Sequence, residues 1–270
     1  MPLRKSLREA NAPLPYVVPL GVAAALPEAD HANTYLAVVG THGYWLVDCA
    51  DSPISRIERA GLDPLTVQGI IITHFHPDHV YGLPSYLSSL FMFAAWKEHV
   101  WEAPLRLYAH PSVLPSVKAL LNIFAPQPWL DGLPLVFCEI PPGVAEVMTE
   151  DEDFVITTTP AAHSIESVAL RFDAKTTGRA FVHSGDTGPC ETVEQLARGV
   201  ALLFHDATDS DRGHTRPGLA GALAERAEVE RLVLIHYYTT PGAMTYALME
   251  ARKTFGGPAE LAEAFKAYSW

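Results

Sequence analysis

Four metal-capable side chains crowd into THFHPDH, Thr73 to His79: His74, His76, Asp78 and His79. His74 and His76 are two apart, so on an extended segment they face the same way. Pro77 then breaks the strand and turns the chain. That turn can aim Asp78 and His79 at a second point near the first. Neutral imidazole nitrogens and carboxylate oxygens suit zinc, iron or manganese. A lone histidine after a strand is most often structural. Four such residues in the form HxHxDH point to a metal loop.

Further ligands then belong at the ends of other strands. His163 follows FVITTTPAA, Asp186 sits in HSGDTG, and His236 ends RLVLIH. Each alone is a weak signal, and together they complete two coordination shells. Asp186 is the natural bridge, because a shared carboxylate can hold two metals about 3.5–4 Å apart. Two divalent cations are therefore expected as cofactors, with zinc the default from ligand type and manganese or iron open. His183 is three residues from Asp186, and it either faces elsewhere or stands behind the ligands. His110, after another strand, is a candidate neighbour of the site. His31, His42 and His99 carry no pattern.

These positions depend on the elements that carry them. VQGIIIT, Val67 to Thr73, is an apolar run that suits a buried strand, and it delivers the histidine loop at its end. Strands are also expected at Thr34 to Val39, Trp45 to Ala50, Leu105 to His110 and Leu135 to Ile140. In the second half they are expected at FVITTTP, VALRFDA, RAFVHS, VALLFHDAT and RLVLIHY. Helices are expected from about Ser55 to Arg59, Ser85 to His99, Pro111 to Phe124, Glu191 to Gly199, Leu219 to Glu228 and Thr245 to Thr254. Ala125 to Pro142 reads as an irregular excursion holding one short strand. Glu150 to Asp153 reads as an acidic turn, and AELAEAFKAYSW as one more amphipathic helix or tail. Strands interleaved with helices imply two layers of sheet flanked by helices.

Bulk properties bound the partners. The 270 residues carry 49% apolar side chains, enough for a sizeable core without staples. Three cysteines without a CxxC pair argue against a disulfide framework and fit a reducing, cytoplasmic setting. No run approaches a membrane span. A formal charge of −12 disfavours nucleic acid held through its phosphates. The aromatics Tyr81, Tyr86, Phe91, Phe93, Trp96 and Trp101 read as core or interface packing, or as a pocket wall, and with the acidic surface they permit a homodimer. Tyr237 and Tyr238, beside His236, are placed to line a pocket.

The chain resembles the metallo-beta-lactamase superfamily of hydrolases, on THFHPDH and on the order His163, Asp186, His236, from about Ala32 to Tyr238. The resemblance implies an α/β fold, an αββα sandwich of two mixed sheets flanked by helices. It implies one hydrolase domain over residues 1–270, with residues 1–15 a loose N-terminal extension. By family roles, His74, His76 and His163 hold one metal, Asp78, His79 and His236 the other, and Asp186 bridges.

Within that superfamily the chain resembles ribonuclease Z and its phosphodiesterase relatives. ITHFHPDHVYGLP, HSGDTGPC, FHDAT and GHT carry this likeness. It implies that His214, oriented by Asp206, assists the leaving group, and that Asp78 also helps position the attacking water. Aspartate stands at position 206 where that group usually has glutamate. Only 22 residues separate His163 from Asp186, so there is no long arm to clamp a tRNA. The expected substrate is a small-molecule or nucleotide phosphodiester, with RNA disfavoured and no membrane involved. A lactonase or other carboxylic ester hydrolase on the same centre is the alternative, and a non-catalytic metal binder a third.

Overall fold

Ile70, Ile71 and Ile72 are all buried, but not together. In β4 (Val67–Ile72), Ile71 joins one apolar cluster while Ile70 and Ile72 join another. Successive strand residues point to opposite faces, so this sheet is covered on both sides. β2 (Tyr35–Val39) repeats the pattern, with Leu36 on one face and Tyr35 and Ala37 on the other. The computed structural model that shows this describes residues 12–124 and 131–270.

The first sheet has seven strands, in the order β14 (Tyr268–Ser269), β1 (Tyr16–Gly21), β2, β3 (Tyr44–Val47), β4, β5 (Leu105–Ala109) and β6 (Leu135–Glu139). A one-turn helix, α2 (Pro77–Val80), follows β4. The outer face is covered by α1 (Pro53–Arg59), α3 (Leu83–Trp96) and α4 (Leu114–Phe124), which contribute Ile57, Leu87, Leu90, Val117 and Leu121. The second sheet runs β13 (Ala259–Leu261), β12 (Leu232–Ile235), β11 (Leu202–Asp206), β10 (Ala180–His183), β9 (Val168–Ala174), β8 (Phe154–Pro160) and β7 (Glu146–Glu150). α5 (Glu191–Leu196), α6 (Pro217–Arg226) and α7 (Pro241–Thr254) bury Val193, Leu223, Ala224 and Ala251 against it. The two mixed sheets pack together between helical layers, the expected αββα sandwich.

Strand direction places the site. β10, β11 and β12 are mutually parallel, and β8 and β10 are both antiparallel to β9. β8, β10, β11 and β12 therefore run the same way and end on the same edge.

The chain differs from expectation at both ends. β1 escapes sequence reading because Pro19 interrupts YVVPLG. Pro19 is tolerated because β14 pairs only with Tyr16 and Val17, so no ladder partner needs its missing N–H, and its carbonyl accepts from the Phe265 N–H instead. AELAEAFKAYSW forms no helix; it supplies β13 and β14. Burial decides this: the Trp270 ring lies 5.1 Å from that of Phe181, and Tyr268 lies 5.2 Å from Phe204. β7 is hidden from sequence as well, being a polar edge strand. β3 stops at Val47, short of Ala50, because Asp48 takes φ 60°. Of the expected extension 1–15, residues 1–11 lie outside the described set, as do 125–130 of the irregular excursion. Pro13 accepts a hydrogen bond from Ser269. No helix among the described residues is long and apolar enough to cross a membrane.

Candidate metal centre

β4 ends at Ile72, so His74 and His76 leave the sheet beyond its edge, and His76 precedes α2 on extended backbone. The proline at the start of α2 begins the turn that lifts Asp78 and His79. They occupy a short helix rather than a loop. From the second sheet, His163 follows β8, Asp186 follows β10, and His236 follows β12. His236 has φ 54°, a strained backbone at the point where the ring must turn inward.

These side chains meet. His74 Nε2 and His163 Nε2 each lie 3.0 Å from His76 Nδ1. Asp78 Oδ2 lies 3.5 Å from both His79 Nε2 and His236 Nε2. Asp186 Oδ2 stands between the groups, at 3.7 Å from His74 Nε2, 3.4 Å from His79 Nε2 and 3.3 Å from His236 Nε2. Ligands of a tetrahedral ion bound at about 2.0–2.1 Å stand roughly 3.3 Å apart. His79 Nε2 and His236 Nε2 are buried and have no hydrogen-bond partner among the described residues. Two orphaned imidazole nitrogens aimed at carboxylates are what a cation would satisfy. The sets His74–His76–His163, His74–His79–Asp186 and Asp78–His79–His236 could each hold an ion.

The opposite nitrogens are fixed from behind. His79 Nδ1 meets Asp48 Oδ2 at 2.8 Å. The Thr73 hydroxyl donates to Asp48 Oδ2 at 2.8 Å and lies 3.0 Å from His74 Nδ1. Likewise the Thr208 hydroxyl donates to Asp206 Oδ1 at 2.8 Å and lies 2.6 Å from His236 Nδ1. His163 Nδ1 meets the Gly213 carbonyl at 2.6 Å. Such partners fix the tautomer and turn the other nitrogen toward a metal. Sequence reasoning misses Asp48, Thr73 and Thr208. Each sits inside or beside a motif, in WLVDCA, THFHPDH and FHDAT, and that adjacency is the available signal.

Electrostatics divides the site. Burial pushes the His236 imidazole down, but the Asp186 and Asp206 carboxylates more than reverse this and raise it to about 10. His79 moves up in the same way against Asp186 and Asp48. Burial pushes the Asp186 carboxyl up, yet His236 and His79 hold it well below the usual carboxylate range. His74 is lowered by burial and by His79 beside it. The half around His79, Asp186 and His236 is thus rich in negative charge that draws a cation.

Asp206 and His214 are also brought in. His214 Nδ1 lies 2.8 Å from Asp206 Oδ2, and its ring stacks 5.3 Å from that of His236. His183 joins none of the metal-capable groups. Burial holds its imidazole down at about 4, and its Nδ1 has no hydrogen-bond partner among the described residues. His110 instead meets Ser112 at 2.8 Å and also stands outside those groups. Of the aromatics, Tyr86 is buried and Phe91, Phe93 and Trp101 pack on the first-sheet core, while Trp96 is exposed.

Fold and site together define a metallohydrolase scaffold. Residues 45–237 match the family described as the beta-lactamase superfamily domain, and the chain belongs to that superfamily. It is similar to ribonuclease Z of Methanothermobacter thermautotrophicus, at 26% identity over 87% of this chain and 91% of the relative. Among solved structures, the metallo-beta-lactamase fold protein YhfI from Bacillus subtilis superposes with a TM-score of 0.80 at 18% identity, covering 94% of this chain and 98% of that one. Human tRNase Z, short form, superposes with a TM-score of 0.74 at 23% identity over the same shares.

Proposed function

We propose that this protein is a dinuclear metal-dependent phosphodiesterase acting on small phosphodiesters. The Asp206–His214 pair, 2.8 Å apart and itself part of the metal-capable cluster, carries this reading. Its similarity to a relative named ribonuclease Z supports the same chemistry. His74, His76 and His163 would hold one cation, Asp78, His79 and His236 the other, and Asp186 both. When bound, divalent cations there supply a Lewis acid that lowers the pKa of water to about 7 and offsets phosphoryl charge.

The chain's own residues do the rest. Asp78 accepts a hydrogen bond from the water that attacks phosphorus. The new P–O bond forms as the bond to one ester oxygen breaks, giving a phosphomonoester and an alcohol. Asp206 occupies His214 Nδ1, so proton exchange with the departing oxygen falls to Nε2. That oxygen takes the proton from Nε2, and the proton lost by water restores it.

RNA is a poor fit, since 31 acidic residues outnumber 19 lysines and arginines, and no arm interrupts the hairpin of β9 and β10. The test is hydrolysis of bis(p-nitrophenyl) phosphate by the metal-reconstituted protein, run beside a lactone panel. Phosphodiester turnover is expected. Lactone turnover alone would replace this reading with the carboxylic ester one.

A further inference from the structure

One residue beyond Asp206 and one beyond His236, a cleft of about 290 Å³ opens at the ends of β11 and β12. Ala207, Asp209, Tyr237, Tyr238 and Tyr246 line it, with small residues of α7 as its floor. The volume is at the small end of ligand pockets, so it takes a head group rather than a polymer.

Its lining has one charge and no cation. Asp209 carries no hydrogen bond or ion pair among the described residues. It is held at φ 28°, a backbone that non-glycine residues adopt at a cost. Arg212, the next cation along the chain, is not part of the lining. Tyr238 and Tyr246 are 39% and 42% exposed, so their rings are open to a ligand. Tyr237 is different: its hydroxyl donates to the Ala262 carbonyl at 2.7 Å, which fixes the ring as a wall.

An unpaired carboxylate among aromatic rings attracts cations. A primary ammonium holds its hydration water through three N–H donors, and an aromatic lining replaces that water only in part. A quaternary ammonium has no donors to satisfy and is attracted by aromatic rings and by a carboxylate.

We infer that this cleft is a substrate subsite for a quaternary ammonium group carried by one arm of the phosphodiester. The inference rests on the phosphodiesterase reading and names a substrate class for it, a zwitterionic choline-type diester. The overall charge of −12 suits such a substrate better than a polyanion.

The test compares p-nitrophenylphosphorylcholine with its uncharged neohexyl isostere, in which carbon replaces nitrogen. kcat/KM is expected to be about ten-fold higher for the choline ester. Asp209→Asn and Tyr246→Ala should each pull that ratio toward unity. A ratio near one in the parent protein, or a ratio indifferent to Asp209→Asn, overturns the subsite. Calorimetry with phosphocholine alone reads the cleft without turnover. Binding weakened about ten-fold by Asp209→Asn supports it, and absence of binding to the parent protein overturns it. Failure to hydrolyse bis(p-nitrophenyl) phosphate would instead remove the phosphodiesterase reading, leaving calorimetry to decide the cleft.

Discussion

His214 meets Asp206 directly, while His236 reaches the same carboxylate through the Thr208 hydroxyl, so substitutions at His214 and at Thr208 separate their roles. His214→Ala should lower kcat about 10²–10⁴-fold on diesters with alkyl leaving groups, which need a proton. On p-nitrophenyl esters, whose leaving group departs as a stable anion, the loss should be under about ten-fold. A leaving-group series with metal content checked by elemental analysis measures this. Equal losses on both kinds of ester would remove His214 as the acid. Thr73→Val and Thr208→Val act one step back. Each cuts the link between a carboxylate and an imidazole of the centre. Metal affinity should fall about 10–100-fold, read by competition with a chromophoric chelator.

At the scale of elements, the two halves of the molecule use one device. Asp48, after β3, accepts from the Thr73 hydroxyl and meets His79 Nδ1; Asp206, ending β11, accepts from the Thr208 hydroxyl and meets His214 Nδ1. Each carboxylate also takes a backbone N–H, from Thr73 or Thr208. The loop from β11 to α6 closes this arrangement through Gly213. Its φ is +77°, and an added Cβ would stand 2.9 Å from His163 Nδ1. Gly213→Ala should therefore cost about 1–2 kcal/mol of stability and weaken metal binding through His163. Thermal melts and metal titration of the variant test both. At the other end of the fold, Trp270→Ala should cost about 3–5 kcal/mol by urea unfolding, because Trp270 is 7% exposed and packs on Phe181 and Phe154. A loss below about 1 kcal/mol would mean that the C-terminal strand is peripheral to the core.

For the whole molecule, cation binding and folding are linked. The carboxylates and imidazoles of the centre come from both sheets, so an ion held there ties one layer to the other. Dialysis against a chelator should lower Tm, and adding zinc back should restore it. The gain is about 4 kcal/mol at a thousand-fold excess over Kd. A Tm indifferent to chelation would count against a structural cation at this interface. Charge acts at the same scale: the excess of carboxylates disfavours approach of polyanions to most of the surface.

Much of the site was legible without coordinates. HxHxDH is local, and all four of its metal-capable side chains fall in groups that could hold an ion. The later residues were legible because each follows an apolar strand, and parallel strands end on one edge. The double-faced burial of VQGIII was likewise written in its unbroken run of isoleucines. Other features had no local trace. β1 and β14 pair Tyr16 with Ser269, and no window of sequence contains both partners. The C-terminal pattern fits a helix until the burial of Tyr268 beside Phe204 is considered. Sequence by itself determined which side chains carry metal-ligand chemistry and in what order they occur, because ligand chemistry belongs to single residues. Only the tertiary structure decided which nitrogen of each imidazole faces the centre, that Asp48 and Asp206 stand behind the rings, and that a tyrosine-lined cleft opens beside them. Those facts depend on strand pairing and on φ values at Asp48, Asp209 and His236, which long-range packing imposes.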